Sequence, residues 1–178
     1  MNTGLIHMYF GDGKGKTTAA IGLAVRASGR GKRVLFAQFL KGRSTGELAP
    51  LGELGIKIIR SEKDMGFFFN LKEEQKEAFR AEQARLFEKV NGEIKDAVFA
   101  GEPIDLLVLD EALNMDREMF DEEALKDFIS NKPESLEIVL TGRPAPEWLT
   151  EKADYVTEMK KHKHPYDSGV IARKSIEY

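Results

Sequence analysis

A chain of 178 residues is long enough for one domain with a sizeable core, and we expect residues 1–178 to form a single domain. The net charge of −3 lacks the basic footprint of a nucleic-acid-binding protein, and the absence of cysteine excludes disulfides, thiolate metal sites and thiol catalysis. The N-terminus has no charged leader, and no apolar run approaches membrane-spanning length. We therefore expect a cytoplasmic protein with neither nucleic acid nor a membrane as partner.

The predicted elements alternate between strands and helices along the chain. Short apolar runs predict strands at residues 5–10, 33–39, 56–59, 104–109, 136–140 and 155–158. Helical spacing predicts helices at residues 19–25, 47–54, 71–99, 117–130 and 146–152. The long helix is predicted to break near Asn91-Gly92, and Asp116 is predicted to cap the helix that reaches Ser130.

This alternation is typical of an α/β fold with a doubly wound, mainly parallel sheet. In such folds ligands bind at the carboxyl ends of the strands. The polar residues of this chain lie at those ends: the glycine-rich turn after the first strand, residues 38–43, residues 110–111 and residues 141–143. Their coincidence predicts a site at this edge of the sheet.

The glycine-rich turn is a phosphate-binding loop. It reads Gly11-Asp12-Gly13-Lys14-Gly15-Lys16-Thr17-Thr18 and lies between the first strand and the first helix. Glycines let the backbone approach a ligand, successive N–H groups form a nest, and the helix N-terminus adds partial positive charge. We expect Lys16 to reach phosphate oxygens and the Thr17 hydroxyl to ligate Mg²⁺. The strict pattern has its first glycine at the position of Phe10, so the register of the loop is unusual.

Acidic, basic and aromatic residues supply further candidates at the same edge. Asp110-Glu111 ends an apolar strand, where a carboxylate can hold Mg²⁺ opposite Thr17. Glu111 has two open roles: it would orient water in an ATPase, or serve only as a metal ligand in a transferase. Arg143 is either a cation for the triphosphate or an ordinary surface arginine. Residues 67–69 are three phenylalanines on a predicted loop. A single phenylalanine there would indicate core packing, whereas three in a row favour a flat apolar surface for a large planar ligand.

Together with the phosphate loop, four segments resemble the P-loop type of the ATP:corrinoid adenosyltransferase family of cobalamin synthesis and salvage. They read Gln38-Phe39-Leu40-Lys41-Gly42, Val108-Leu109-Asp110-Glu111, Thr141-Gly142-Arg143 and Lys163-His164-Pro165-Tyr166-Asp167-Ser168-Gly169-Val170. They occur in order and with compatible spacing from the first strand to the last residue. The tail segment and the Glu177-Tyr178 ending make the resemblance specific, because the loop alone indicates only a superfamily.

The resemblance implies a reaction and a fold. The 5′-deoxyadenosyl group of ATP moves to the cobalt of a corrinoid and triphosphate is released, with Co(I) as the nucleophile that attacks C5′. The family has a RecA-like sheet of order 3-2-4-5-1-6, with helices on both faces, and works as a homodimer. Its loop holds ATP in a reversed sense, which would account for the shifted glycine here. The electron for cobalt would come from a separate flavoprotein or a free reduced flavin, since the chain has neither cysteine nor a flavin fingerprint.

The resemblance also implies roles for individual residues. Residues 11–18 bind the triphosphate, Thr17 and Glu111 hold Mg²⁺, and Lys16 acts with them in catalysis. Phe67 and Phe69 occupy the positions of a Phe-x-Trp pair that displaces the lower axial ligand of the corrinoid, which makes Co(II) easier to reduce. Two departures stand out: Phe69 replaces the tryptophan, and the first strand begins at residue 5, whereas many relatives carry an N-terminal arm over the corrinoid.

The residues by themselves leave two other functions open. A hydrolysing P-loop ATPase or a small-molecule kinase would use Glu111 to orient water or as a base, and would produce ADP. A carrier that binds nucleotide or corrinoid without catalysis would give no product.

Overall fold

We describe a computed structural model of the chain, covering residues 3–66, 68–114 and 121–176. Over these residues it contains six strands and five α-helices. The strands are β1 (Ile6–Phe10), β2 (Val34–Gln38), β3 (Lys57–Arg60), β4 (Leu106–Asp110), β5 (Glu137–Thr141) and β6 (Tyr155–Glu158). The helices are α1 (Lys16–Ser28), α2 (Leu48–Glu53), α3 (Glu73–Phe99), α4 (Glu122–Ser130) and α5 (Glu147–Lys152).

All six strands pair in parallel in one sheet of order β3-β2-β4-β5-β1-β6. The α/β class and the strand order expected from the resemblance are confirmed. The central strands β2 and β4 are buried along their whole length, as their mostly apolar sequences predict. β6 lies at an edge of the sheet and is exposed throughout.

Alternate side chains of the strands feed two apolar cores, because successive residues of a strand point to opposite faces. On one face, Phe36 and Val108 pack with Ala20 and Ala24 of α1 and with Leu51 of α2. The core of the other face joins strand residues to α3, α4 and α5, and it includes Leu35, Leu107, Leu109, Val90, Ile129 and Leu149. Helices therefore cover both faces, as predicted.

Two helix predictions need correction. α3 runs unbroken through Asn91-Gly92, although a glycine inside a helix costs about 1 kcal/mol relative to alanine. The buried face formed by Leu86, Phe87, Val90 and Ile94 packs on the sheet and outweighs that cost. α4 begins at Glu122, and Asp121 caps it by accepting a hydrogen bond from the N–H of Glu123. The predicted cap, Asp116, lies outside the described residues.

No helix within the described ranges is both long enough and apolar enough to cross a lipid bilayer.

Candidate functional site

Residues 11–15 join β1 to α1 in a turn whose shape favours glycine at positions 11, 13 and 15. Gly11 and Gly15 have φ of 108° and 121°, a region that residues with a Cβ rarely adopt. A Cβ added at Gly11 or Gly13 would lie 2.5 or 2.6 Å from the carbonyl oxygen of Met159. The sequence therefore shapes this turn so that its backbone leads directly into the N-terminus of α1, where free N–H groups and the helix dipole attract anions.

Lys16 bends back over this turn. Its Nζ donates hydrogen bonds to the carbonyl oxygens of Gly11 and Gly13, both at 2.7 Å. Burial lowers the pKa of Lys16 below its ordinary value, because desolvation disfavours the ammonium. The predicted phosphate-binding lysine thus lies against the loop itself.

The segment that follows β6 supports the loop from behind. The N–H of Gly13 donates to the carbonyl of Met159 at 2.6 Å, and the N–H of Met159 donates to that of Phe10 at 2.8 Å. The N–H of Lys161 donates to the carboxylate of Asp12 at 2.9 Å, a bond that lowers the pKa of Asp12. Asp12 therefore ties the loop to this segment, a role that the sequence did not indicate.

Two other predicted members of the loop are exposed. Lys14 donates from Nζ to the carbonyl oxygen of Ile176 at 3.5 Å, which places it beside the C-terminal segment. Thr18 lies in the first turn of α1. Both stay predictions as ATP-binding residues.

Asp110 is the centre of the polar cluster at the carboxyl ends of the strands. Its side chain is fully buried at the end of β4. One carboxylate oxygen accepts from the hydroxyls of Thr17 at 2.8 Å and Thr141 at 2.7 Å. The other accepts from the amide of Gln38 at 3.1 Å and from Nζ of Lys41 at 3.2 Å. The expected meeting of these strand ends is confirmed.

The resemblance implies Glu111 as the Mg²⁺ ligand beside Thr17, and this role stays a prediction. In the structure the hydroxyl of Thr17 donates to Asp110. Glu111 has a left-handed backbone with φ of 64°, and its N–H donates to the Thr141 hydroxyl at 2.9 Å. Its carboxylate accepts from the amide of Asn114 and lies 3.5 Å from Nζ of Lys41. The sequence signal for Asp110 was its place directly after a predicted buried strand, shared with Glu111.

Arg143 lies beside the phosphate loop through its backbone. The N–H of Gly11 donates to the carbonyl of Arg143 at 3.1 Å, and the N–H of Arg143 donates to the side-chain oxygen of Asn114 at 2.6 Å. Gly142 leaves no room for a Cβ, which would lie 2.5 Å from the Cβ of Leu113. The Arg143 residue is exposed, so its guanidinium is available at the rim of the site.

The aromatic run divides between core and surface. Phe68 and Phe69 belong to a 3₁₀ turn, Phe68–Asn70. Phe68 is 3% exposed and packs against Phe79, with Leu40 packed on the same small cluster. Phe69 is 69% exposed. Phe67 lies outside the described residues, so of the two predicted corrinoid-binding residues only Phe69 has a known position.

The donor atoms at Thr17 and Asp110 suit Mg²⁺, which prefers oxygen ligands and retains several waters. The Gln38 side chain adds a further observation. Its Nε2 donates to the carboxylates of Glu47 and Asp110, while its buried Oε1 accepts no hydrogen bond from the described part of the chain. Such an orphaned acceptor suits a metal-bound water, so the residues present fit the ion.

Residues 2–178 match the model of a family described as ATP:corrinoid adenosyltransferase BtuR/CobO/CobP. The chain is 32% identical to a corrinoid adenosyltransferase of Pseudomonas aeruginosa, over 98% of this chain and 84% of that protein. It is 31% identical to the corrinoid adenosyltransferase of Escherichia coli K12, over 98% of this chain and 86% of that protein. It is 33% identical to the corrinoid adenosyltransferase CobA of Salmonella typhimurium, over 98% of this chain and 86% of that protein.

Proposed function

Because the chain belongs to the ATP:corrinoid adenosyltransferase family, it is a transferase that acts on ATP and a corrinoid, and we propose a specific course for its reaction. Co(I) of the corrinoid attacks C5′ of ATP. The cobalt–carbon bond forms with the electron pair of Co(I) as the bond between C5′ and oxygen breaks. Triphosphate leaves with the electrons of that bond.

The observation that carries this proposal is the geometry of residues 11–17. The glycine turn leads into the N-terminus of α1, and Lys16 lies over the turn, 2.7 Å from two of its carbonyl oxygens. A triphosphate in this turn would be met by backbone N–H groups, by the helix dipole and by the ammonium of Lys16. We propose that Arg143, whose backbone is bonded to Gly11, adds charge at the rim.

The loop would act by holding the triphosphate of ATP in place, since the attacking cobalt atom belongs to the corrinoid. Fixing the triphosphate restricts the ribose, so that C5′ faces the corrinoid in line with its leaving oxygen. The same clamp stabilises the negative charge that develops on the leaving triphosphate. In the proposed orientation the terminal phosphorus is turned away from the reacting atoms, which separates transfer from hydrolysis.

We propose that Mg²⁺ is bound with the triphosphate by the hydroxyl of Thr17, with Asp110 holding a metal-bound water. When bound, Mg²⁺ neutralises phosphate charge and so makes triphosphate a better leaving group. Asp110 keeps the Thr17 hydroxyl oriented, because that hydroxyl donates its proton to the carboxylate. Glu111, predicted as a metal ligand, lies next to this cluster and contributes negative charge at 3.5 Å from Lys41.

The exposed ring of Phe69 supports the proposal for the corrinoid. An apolar ring on a short turn can occupy the lower face of the macrocycle in place of the axial ligand. Loss of that donor makes Co(II) easier to reduce. We propose that Phe67 acts with Phe69 in this role.

We propose that residues 1–178 form one domain, that two copies associate as a homodimer, and that the enzyme works in the cytoplasm. A separate flavoprotein or a free reduced flavin supplies the electron that converts Co(II) to Co(I). Size-exclusion chromatography with light scattering tests the dimer.

Product analysis tests the function itself. The protein is incubated with ATP, Mg²⁺, a corrinoid and a strong chemical reductant. We expect ultraviolet–visible spectra to show a light-sensitive alkylcobalt product, with triphosphate released in equal amount. Formation of ADP and phosphate without an alkylcobalt species would contradict the proposal and would indicate the ATPase or kinase instead.

A further inference from the structure

The carboxylate of Asp110 has no acceptor capacity to spare. Each of its two oxygens accepts two hydrogen bonds from the described part of the chain, and a carboxylate offers about four such positions in all. A new donor, such as a metal-bound water, can therefore reach Asp110 only after one of the four present donors has left.

The four groups that donate to Asp110 differ in how easily they can move away from its carboxylate. Gln38 and Thr141 are each 1% exposed and sit on central strands of the sheet. Thr17 is fixed in the first turn of α1, and its hydroxyl can keep its bond to Asp110 while its lone pairs face a metal. Lys41 lies on the loop after β2, and its long side chain is 29% exposed. Lys41 is thus the donor that can move without disturbing the sheet.

The backbone around Lys41 is fixed by unusual means. Leu40 has a left-handed φ of 58°, and its N–H donates to the side chain of the buried Gln83 at 3.2 Å. A Cβ on Gly42 would lie 1.9 Å from the carbonyl oxygen of Lys63, so only glycine fits there. Arg60 donates to the carbonyl oxygens of Lys41 and Arg43. Strain of this kind concentrates at functional sites, and here it fixes where the Lys41 side chain starts.

The charges explain why a lysine is needed in this place. Asp110 is fully buried, and Glu111 is the next residue, so two carboxylates lie close together at the end of β4. Nζ of Lys41 lies 3.2 Å from a carboxylate oxygen of Asp110 and 3.5 Å from one of Glu111. The ammonium of Lys41 is therefore the cation that compensates this pair.

We propose that the ammonium of Lys41 takes the place of the metal ion. It pairs with the carboxylate of Asp110 when no metal is bound, and this ion pair breaks when Mg²⁺ binds. Lys41 is a positioning residue by this account, since it acts through Asp110. The inference rests on the proposed function only for the identity of the metal.

The test uses the full chain without ATP or corrinoid. A negative result would therefore not contradict adenosyl transfer, and a failure of adenosyl transfer would not contradict the role of Lys41. Lys41→Met removes the cation and keeps the length of the side chain. In EDTA we expect its Tm to fall by roughly 5–10 °C, because a buried carboxylate loses its partner. Millimolar Mg²⁺ at constant ionic strength should restore most of that loss, whereas wild type should shift by less than about 2 °C.

A second measurement follows the metal directly. Mn²⁺ replaces Mg²⁺ as the probe, and electron paramagnetic resonance counts the free ion during a titration of the nucleotide-free protein. Lys41→Met should bind Mn²⁺ at least roughly tenfold more tightly than wild type, because the competing charge beside Asp110 is gone. Lys41→Arg keeps that charge and should bind as weakly as wild type.

Lys32→Met is the matched control. Lys32 pairs with Asp105 at 2.7 Å just before the start of β4, whereas Asp110 ends that strand. It should show neither the recovery by Mg²⁺ nor the tighter Mn²⁺ binding. The proposal is overturned if Lys41→Met responds to both ions as wild type does. It is also overturned if the variant folds in neither buffer, because the metal is then unable to replace the lysine.

Discussion

Two lysines bring positive charge to the site by different contacts. Lys16 is bonded to carbonyl oxygens of the phosphate loop, so its position follows from the fold of that loop. Lys41 is bonded to carboxylates, so its position follows from the charge of the cluster. We propose that the first arrangement binds the triphosphate, and that the second changes when a metal cation binds.

Lys16→Ala tests the first of these lysines. We expect kcat/KM for adenosyl transfer to fall by roughly 100-fold or more, because the variant lacks a charged donor that stabilises the leaving triphosphate. Steady-state kinetics and nucleotide titration measure the loss, and circular dichroism checks that the fold is intact. Lys57→Ala removes an exposed lysine at the start of β3 and should retain wild-type kinetics. Unchanged turnover in Lys16→Ala would contradict the proposed role of the loop in the reaction.

The sequence could not predict which residue of the acidic pair Asp110-Glu111 contacts Thr17. Asp110 and Glu111 are adjacent and of the same chemical type, so the sequence offers no reason to prefer either as the partner of Thr17. The difference arises from the end of β4, which is buried as far as Asp110, while the chain turns left-handed at Glu111. Which residue ends a strand depends on its neighbours in the sheet, and Gln38 and Thr141 are distant in sequence.

Among the elements, the 3₁₀ turn Phe68–Asn70 links the candidate corrinoid surface to the core. Phe68 packs with Phe79 and Leu40, and Leu40 immediately precedes Lys41. Lys76 and Arg80 of α3 each lie 5.5 Å from the centre of the Phe68 ring. One ring anchors the turn, which leaves the next one facing outward.

The two rings should therefore respond differently to the same substitution. Phe68→Ala removes a buried ring and should lower Tm by roughly 5–15 °C. Phe69→Ala should leave Tm within about 2 °C of wild type, since its ring is 69% exposed. We expect it to slow reduction of enzyme-bound Co(II) by roughly tenfold or more, because the axial ligand is no longer displaced.

The control for Phe69 is Phe99→Ala. Phe99 is 95% exposed and ends α3, whereas the aromatic turn lies just before the start of that helix. Stopped-flow spectra of cobalt reduction should match wild type in this variant. If Co(II) bound to Phe69→Ala is reduced at the wild-type rate, the proposed role of this ring at the corrinoid is contradicted.

At the scale of the whole molecule, periodicity and turn residues predicted most of the fold. Short runs of apolar and β-branched residues located the six strands, and the signal was clearest for β2 and β4, which are buried along their whole length. The strand order came from the resemblance, since no local pattern encodes which strands are neighbours. The continuity of α3 through Gly92 was missed for the same reason: the packing that holds it there comes from the sheet.

The reaction proposed for the whole molecule breaks a carbon–oxygen bond and leaves every phosphorus–oxygen bond of ATP intact. An analogue with nitrogen between its β- and γ-phosphorus atoms should therefore remain a substrate. We expect the alkylcobalt product to form at a rate comparable to that with ATP, with the imidotriphosphate released whole, as followed by ultraviolet–visible spectra and phosphorus NMR. An enzyme that attacks the terminal phosphorus would stall on this analogue, because the bond it must break resists hydrolysis. Failure of the analogue to react, with ATP still consumed, would place the chemistry at phosphorus and contradict the transfer from C5′.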